Sequence, residues 1–522
     1  MNKITQTIIL PKPDELSTIE KLIWCLDDFH FETFVRILEE QNAKLSVKLI
    51  SEIRKQAKVE KWGNLCTLVY GEDSIKNRQS LNQLSSYTFK LTYYLAQNFP
   101  AYLQTNIHTL QRHLNTGNIE HADFLCEILI DIAEKIEDFT VLKFVYQVKA
   151  QQAFLVKDVT RGTRYQALLK SVLEDEANLN NIYYIQRNHF NINSDSAVSE
   201  EDLNLQIGII HSFTQHPRAS IRLYSMYALL YIKYFFQPQQ FVSEKTIPEV
   251  EAFEKELNLQ SYVVFPPMVD LRSSMNFLKL NSALVDLDTA EGQKEFKQMQ
   301  LHYNRIGFWI TYLNVPELYM LTVKASFYLS KYSYTLHNGQ PNLLPKEVEE
   351  LEELKLRCKE VLAMPVINEK GHNSDRLYTS ITYAALLLLG TPKEVKKAVE
   401  VLEGLLFSFQ QVNINASLDS VFLCLMLGYF AQKNYDMCTK TFVRYSKLSK
   451  GKTLYEDNDL SIKILYYTAQ YISTERKQYI AKLQKCHDAA FQNDYYRDSR
   501  KIINALSESF NLQFGSDFFV SP

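Results

Sequence analysis

Three histidines lie close together in the chain, His108, His113 and His121, and imidazole is the commonest side chain by which proteins hold transition metals. Their spacings, five and then eight residues, do not put all three on one helix face, and no Asp or Cys completes a tetrahedral set. They read as surface or partly packed rings. His211 and His216, again five apart, fail for the same geometric reason. Cys486 and His487 are adjacent, and neighbours on a helix point about 100° apart, so the pair cannot form a thiolate–imidazolium couple with each other. A catalytic cysteine there would need a distant histidine. Gly451-Lys452-Thr453 has the ending of a phosphate loop, but Ser446 stands where the loop needs its first glycine, and a helix stands upstream where it needs a strand. Gly451 reads instead as a left-handed cap that closes a helix. Gly-x-Gly-x-x-Gly, His-Glu-x-x-His and Gly-x-Ser-x-Gly do not occur. The sequence therefore predicts no catalytic, metal-binding or cofactor-binding residue and a protein that is not an enzyme, with one proviso: a site assembled from distant residues leaves no such motif.

Charge says more about partners. The 522 residues carry a formal net charge of −3, too weak a field to gather polyphosphate or an anionic membrane, so a partner must be recognised by a local surface. One local excess lies between Ala431 and Ala505, where fourteen Lys and Arg stand against eight Asp and Glu, a net +6. Within it Lys440, Arg444 and Lys447 fall at i, i+4 and i+7 and share a helix face. These three are the candidate partner-binding residues, suited to an acidic peptide segment or, as the alternative, to a phosphate backbone. Tyr and Phe number 32 and 30, and a tyrosine-rich groove would suit a peptide, although most such rings belong in a helical core.

Those residues must be positioned by helices. Only 14 Gly and 14 Pro occur, too few for a loop-rich sheet enzyme and enough for helices joined by short turns. Seven dispersed cysteines without a Cys-x-x-Cys pair read as reduced, buried fillers in a cytoplasmic protein. The longest apolar runs, Ala384 to Leu389 and Tyr227 to Ile232, fall short of the ~20 residues that span a bilayer. The apolar run before Pro11 is too short for a signal peptide. A soluble protein with no membrane partner is the expectation.

Ser17-Thr18-Ile19-Glu20 reads as a capping box opening a helix striped by Ile19, Leu22, Ile23 and Leu26. A hairpin follows at Leu103 to Leu114, the turn Asn115-Thr116-Gly117-Asn118, and a stripe of Ala122, Leu125, Ile128, Leu129 and Ile132. Leu223 to Phe236 is apolar on nearly all sides, as a helix between neighbours should be. Asn188 to Asp202 and His337 to Pro341 read as loops, and Val263 to Phe265 as a strand-like bit. Pro345 opens a helix whose Glu347, Glu349, Glu350, Glu352 and Glu353 precede Lys355, Arg357 and Lys359, an order that complements the helix dipole and reads as a solvated face.

Leu377 to Lys450 carries the clearest pattern. Thr391-Pro392-Lys393-Glu394 supplies a cap, a first-turn proline and a returning Glu, followed by Val395, Ala398, Val399, Leu402, Leu405 and Leu406 at helical spacing. Forty residues beyond Ala398, Cys438 takes the same small-residue place among Phe422, Leu425, Tyr429, Tyr435 and Phe442. Both units resemble tetratricopeptide-repeat (TPR) hairpins, though Met426 stands where the family places a glycine and Lys450 where it places a proline. The resemblance implies an all-α fold, an α-solenoid of stacked antiparallel helical hairpins, and a non-catalytic scaffold that holds a peptide or protein segment in a concave groove. The expected organisation is an N-terminal helical-hairpin region over 1–190, a central helical region over 203–340, and C-terminal TPR-like repeats with a tail over 341–522. The tail, with Phe514, Phe518 and Phe519, should dock on the last hairpin as a cap. The alternative function is a regulator acting on nucleic acid, or on a nucleic-acid-binding partner, through the basic C-terminal region.

Overall fold

The computed structural model of the chain describes residues 11–59, 63–92, 94–95, 99, 101–190, 200–236, 241, 246–260, 271–281, 285, 287–306, 317–332, 343–363, 369–412, 418–449, 456–492, 494–510, 512 and 514. The described residues contain 23 α-helices and no strand. In chain order the first are α1 (Thr18–Cys25), α2 (Asp28–Glu40), α3 (Lys44–Val59), α4 (Leu65–Tyr70), α5 (Ile75–Lys90), α6 (Thr105–Asn115), α7 (Ile119–Ile136) and α8 (Phe139–Leu155). Next come α9 (Val159–Phe190), α10 (Glu200–Ser212), α11 (Ala219–Phe236), α12 (Thr246–Leu259), α13 (Leu271–Asn281), α14 (Ala290–Ile306), α15 (Glu317–Tyr332) and α16 (Pro345–Ala363). The last are α17 (Glu369–Leu388), α18 (Pro392–Val412), α19 (Leu418–Ala431), α20 (Tyr435–Ser449), α21 (Glu456–Thr474), α22 (Lys477–Gln492) and α23 (Arg497–Ser509). Among the described residues no helix is long and apolar enough to cross a membrane. The strand-like bit at Val263 to Phe265, the loop at His337 to Pro341, Gly451-Lys452-Thr453, Phe518 and Phe519 lie outside the described residues.

Five tight turns share one construction. A residue of positive φ ends the helix: Asn42, Gly117, Glu137, Lys157 or Lys433. The next amide then donates to the carbonyl five residues back, from Ala43, Asn118, Asp138, Asp158 and Asn434 in turn, each at 2.9 Å. Three of these residues also open the following helix. Asp138 accepts from the Val141 amide at 3.1 Å, Asp158 from Arg161 at 3.0 Å and Asn434 from Met437 at 3.3 Å. One dipeptide thus satisfies both the last carbonyls of one helix and the first amides of the next.

One compact unit comprises Met1–Ile185, Gly208–Ala228 and Phe253–Leu271. The Ser17 capping box forms as read, with the Ser17 amide 2.9 Å from the Glu20 carboxylate. α1 packs on α3, α5 and α7, and α7 packs between α6 and α8, so the hairpin expected around Gly117 is present. A polar knot ties the unit together. Arg218 donates to Glu134 at 2.5 Å and to Asp175 at 2.8 Å, and the Tyr146 hydroxyl donates to Glu134 at 2.6 Å. The Glu137 carboxylate accepts from the amides of Ala219 and Ser220 at 2.8 and 2.7 Å, capping α11 from a distant turn. His216 sits against this knot, its Nδ1 accepting from the Arg218 amide at 3.2 Å and its Nε2 3.7 Å from Asp175. Burial holds its pKa below the usual value.

The other unit comprises Gln186–Ile207, Leu229–Ala252 and Arg272–Pro522. From α15 onward its packing follows one rule. Each helix packs on the next from α16 to α22, and α15, α17, α19, α21 and α23 each also pack on the next member of that alternate row. The row's ends meet: Ser330 at the end of α15 donates to Asp498 at 2.5 Å, and Lys501 donates to Ser330 Oγ at 3.1 Å. Asp457 of α21 is partly buried there and accepts from the amides of Asp498 and Ser499 at 3.2 and 3.1 Å. Burial and the neighbouring Asp498 charge raise its pKa well above the usual carboxylate range.

Sequence fixes this packing residue by residue. Helix α19 is apolar on all sides and only Ser420, Leu423 and Ala431 escape burial. Ala398 and Cys438, the two small residues forty apart, are both fully buried. The close approach that the TPR pattern places at Met426 occurs two residues on, at Gly428, where a Cβ would stand 2.7 Å from Val399 Cγ2. The Thr391 box forms, the Thr391 amide lying 2.8 Å from Glu394 Oε2. The tail docks as far as it is described: Leu512 is buried and Phe510 and Phe514 pack against the same core.

The acidic face of α16 is not simply solvated. Glu347 is buried and accepts from the Tyr332 hydroxyl at 2.6 Å, the Leu344 amide at 2.8 Å and Lys331 at 3.2 Å. Glu350 accepts from Tyr328 at 2.5 Å and pairs with Lys324 at 2.6 Å. Distant tyrosines and lysines, invisible to a local reading, claim these carboxylates and hold their pKa values down against the opposing effect of burial.

Candidate partner-binding surface

Lys440, Arg444 and Lys447 all lie on α20, whose buried face is formed by Cys438, Thr441 and Tyr445. Helical spacing turns the three cations well away from that face. Their electrostatic situations differ. Lys440 is exposed and pairs with Asp436 one turn earlier at 2.7 Å. Arg444 reaches α18, donating to both Glu403 oxygens at 2.9 and 2.8 Å, and Glu403 also accepts from the Tyr429 hydroxyl at 2.9 Å. That arrangement joins α18, α19 and α20, and with burial it raises the Tyr429 pKa. Lys447 is exposed. Two of the three charges therefore already face a carboxylate, which the residue spacing alone did not reveal.

A second feature lies on another side of α20 and continues onto α21 and α22. Phe442 and Tyr466 stack at 3.9 Å, nearly parallel at 7°, and Tyr466 and Tyr467 follow at 5.2 Å. Lys482 of α22 lies 5.2 Å from the Tyr467 ring centroid and 5.6 Å from that of Tyr479. These rings are half-buried, and Tyr467 and Tyr479 stand beside the Lys482 ammonium group. Lys463, on the same helix as Tyr466 and Tyr467, pairs with Asp459 at 2.5 Å. The rings come from three helices, and only the adjacent Tyr466-Tyr467 pair hints at them in the sequence.

The residues first considered for chemistry are placed otherwise. His113 and His121 stack at 5.4 Å, and His121 Nδ1 lies 2.8 Å from Asn118 Oδ1. Cys486 is buried, which pushes its thiol up to about 11, while His487 stacks on Phe491 at 4.5 Å and on Phe514 at 5.3 Å. A thiol held neutral at ordinary pH is a poor nucleophile. All seven cysteines are free and buried.

What the geometry establishes is a class: an all-helical protein whose helices pack in chain order, consistent with a helical repeat. No protein-family model matches the chain, and neither a curated protein nor a solved structure matches it.

Proposed function

We propose that the chain is a non-catalytic interaction scaffold, a TPR-like α-solenoid that binds a peptide or protein segment. The observation that carries this reading is the alternate row α15, α17, α19, α21 and α23, each member packed on the next, because hairpins stacked in chain order are the unit of a helical repeat. Helix α19 leaves little surface for a partner, so the contact is proposed on the second helices, with the Lys440, Arg444 and Lys447 face meeting an acidic segment. A second reading, a regulator that acts on nucleic acid or a nucleic-acid-binding partner, draws on the half-exposed Phe442, Tyr466 and Tyr467 rings beside Lys482, since rings and cations together suit single strands.

The test must respect Glu403. Reversing Arg444 would set a carboxylate against it and perturb three helices, so the informative variant is Lys440→Glu with Lys447→Glu. Wild type and variant are used to capture partners from native lysate at low and moderate salt. A protein retained by the wild type and lost by the variant supports the scaffold reading. Equal capture by both overturns the assigned face, and salt-sensitive nucleic acid in the eluate favours the second reading.

A further inference from the structure

Helices α7 and α8 run antiparallel, since Lys149 near the end of α8 pairs with Asp123 and Glu127 near the start of α7, at 3.2 and 2.6 Å. α9 returns along α8, with Lys143 2.7 Å from Glu176 and the Tyr146 and Tyr165 rings 6.1 Å apart. The start of α7, the end of α8 and the start of α9 therefore share one end of the layer. There, four aliphatic side chains stand in water: Ile119 is 51% exposed, Leu155 82%, Val156 74% and Val159 63%. Every residue from 154 to 161 is exposed. Soluble helices do not ordinarily end in such a run.

The turn is rigid and its own residues are basic, while at the start of α7 Glu120 is exposed and Asp123 and Glu127 are paired with Lys149. Gly162 lets the Phe154 ring lie across the start of α9, where a Cβ would meet the ring at 2.6 Å. Lys157 holds the turn at φ 61°, and the Asp158 carboxylate is engaged by the Arg161 amide. Over 154–164 the chain carries Lys157, Arg161 and Arg164 against Asp158 alone. Arg161 stays at the surface, its guanidinium 5.7 Å from the Tyr165 centroid.

We propose that this end of the α7–α8–α9 layer docks on an anionic membrane surface, with Ile119, Leu155, Val156 and Val159 entering the interfacial hydrocarbon and Lys157, Arg161 and Arg164 meeting lipid phosphates. A projecting turn buries little aliphatic area against another convex surface, whereas a bilayer closes around it. The overall net charge argues for no membrane partner, but surface attraction acts within about a Debye length of ~10 Å, so the local cations decide. Insertion and charge are each weak, and together they give reversible docking. This inference stands apart from the α20 reading and uses none of its residues.

Co-sedimentation of the full chain with phosphatidylcholine vesicles, with and without phosphatidylserine, tests it. Binding is expected only with phosphatidylserine, weakening as salt rises. Leu155→Ser with Val156→Ser should lower partitioning by about a hundredfold without altering the circular dichroism, because each branched side chain withdrawn from hydrocarbon is worth roughly tenfold. Lys157→Glu with Arg164→Glu should remove the preference for phosphatidylserine. Because the seven native cysteines are buried, a Val156→Cys variant takes an environment-sensitive dye at the tip alone, and its emission should shift to the blue on phosphatidylserine vesicles. No binding, or binding unchanged by either double variant, overturns the proposal. A concentration-dependent dimer that Leu155→Ser abolishes would overturn it too and assign the tip to a second copy of the chain.

Discussion

The turn between α7 and α8 and the turn between α19 and α20 have the same backbone, a left-handed residue followed by an Asp or Asn whose amide donates five residues back at 2.9 Å. The helices they join are held by opposite means. After α7, the left-handed residue is Glu137, buried, and its carboxylate caps α11, beside Arg218 with Glu134 and Asp175. After α19, the left-handed residue is the exposed Lys433, and what seats α19 on the helices before it is apolar contact, Gly428 against Val399 of α18 and Leu388 of α17. The first region is specified by charges that must find each other over long sequence distances. The second rests mainly on volume, which a periodic pattern can encode locally, with the single Arg444–Glu403–Tyr429 arrangement added to it. One should respond to pH and to loss of a charge, the other to addition of a methyl group.

The largest expected effect is in the first region. Arg218→Met strands Glu134 and Asp175, and should cost about 3 kcal/mol, the low end for a broken buried ion pair because Glu134 keeps some solvent. Denaturant unfolding measures it, and a loss no larger than that of an exposed arginine would break the comparison. Asp138 gives the pH signature. Burial raises its pKa from 3.8 to about 6. The folded state therefore binds that proton more tightly than the unfolded chain, and stability present below about pH 4 is lost as pH rises toward 6. Asp138→Asn keeps a cap for the Val141 amide and removes the titration, so the stability difference between wild type and variant should change by on the order of 2 kcal/mol between pH 4 and pH 7. A flat difference would remove the assigned origin. In the second region Gly428→Ala gains about 1 kcal/mol of helix propensity but overpacks against Val399, for a net loss of about 1 kcal/mol. Adding Val399→Ala to the Gly428→Ala chain should turn part of that clash into free space, and a melting temperature that drops further instead of partly recovering would show that Val399 is not the obstacle.

This contrast also explains what the sequence discloses. Ser17 with Glu20 and Thr391 with Glu394 are three apart, so their boxes can be read directly, and Ala398 and Cys438 are both fully buried where the apolar period puts them. The close approach falls at Gly428, two residues beyond the Met426 position that the resemblance marked, because it depends on where Val399 and Leu388 arrive from other helices. The left-handed Glu137, Lys157 and Lys433 carry no signal, since that conformation advertises itself only when glycine or asparagine fills it. For the candidate surface the common helix face of Lys440, Arg444 and Lys447 follows from spacing, but Glu403, which takes up Arg444, lies 41 residues away. Glu347 misleads for the same reason, because Tyr332 approaches it from another helix.

The meeting of α15 and α23 has a mechanical consequence. A row whose members touch only their neighbours would yield to a pull on its C-terminal end one hairpin at a time, like a zip. Here Ser330 ties α15 to Asp498 and Lys501 of α23, so force applied beyond α23 must first break that clasp before any hairpin peels away. A stretched molecule of this kind would show one high initial force peak followed by a run of lower ones, a spring with a catch.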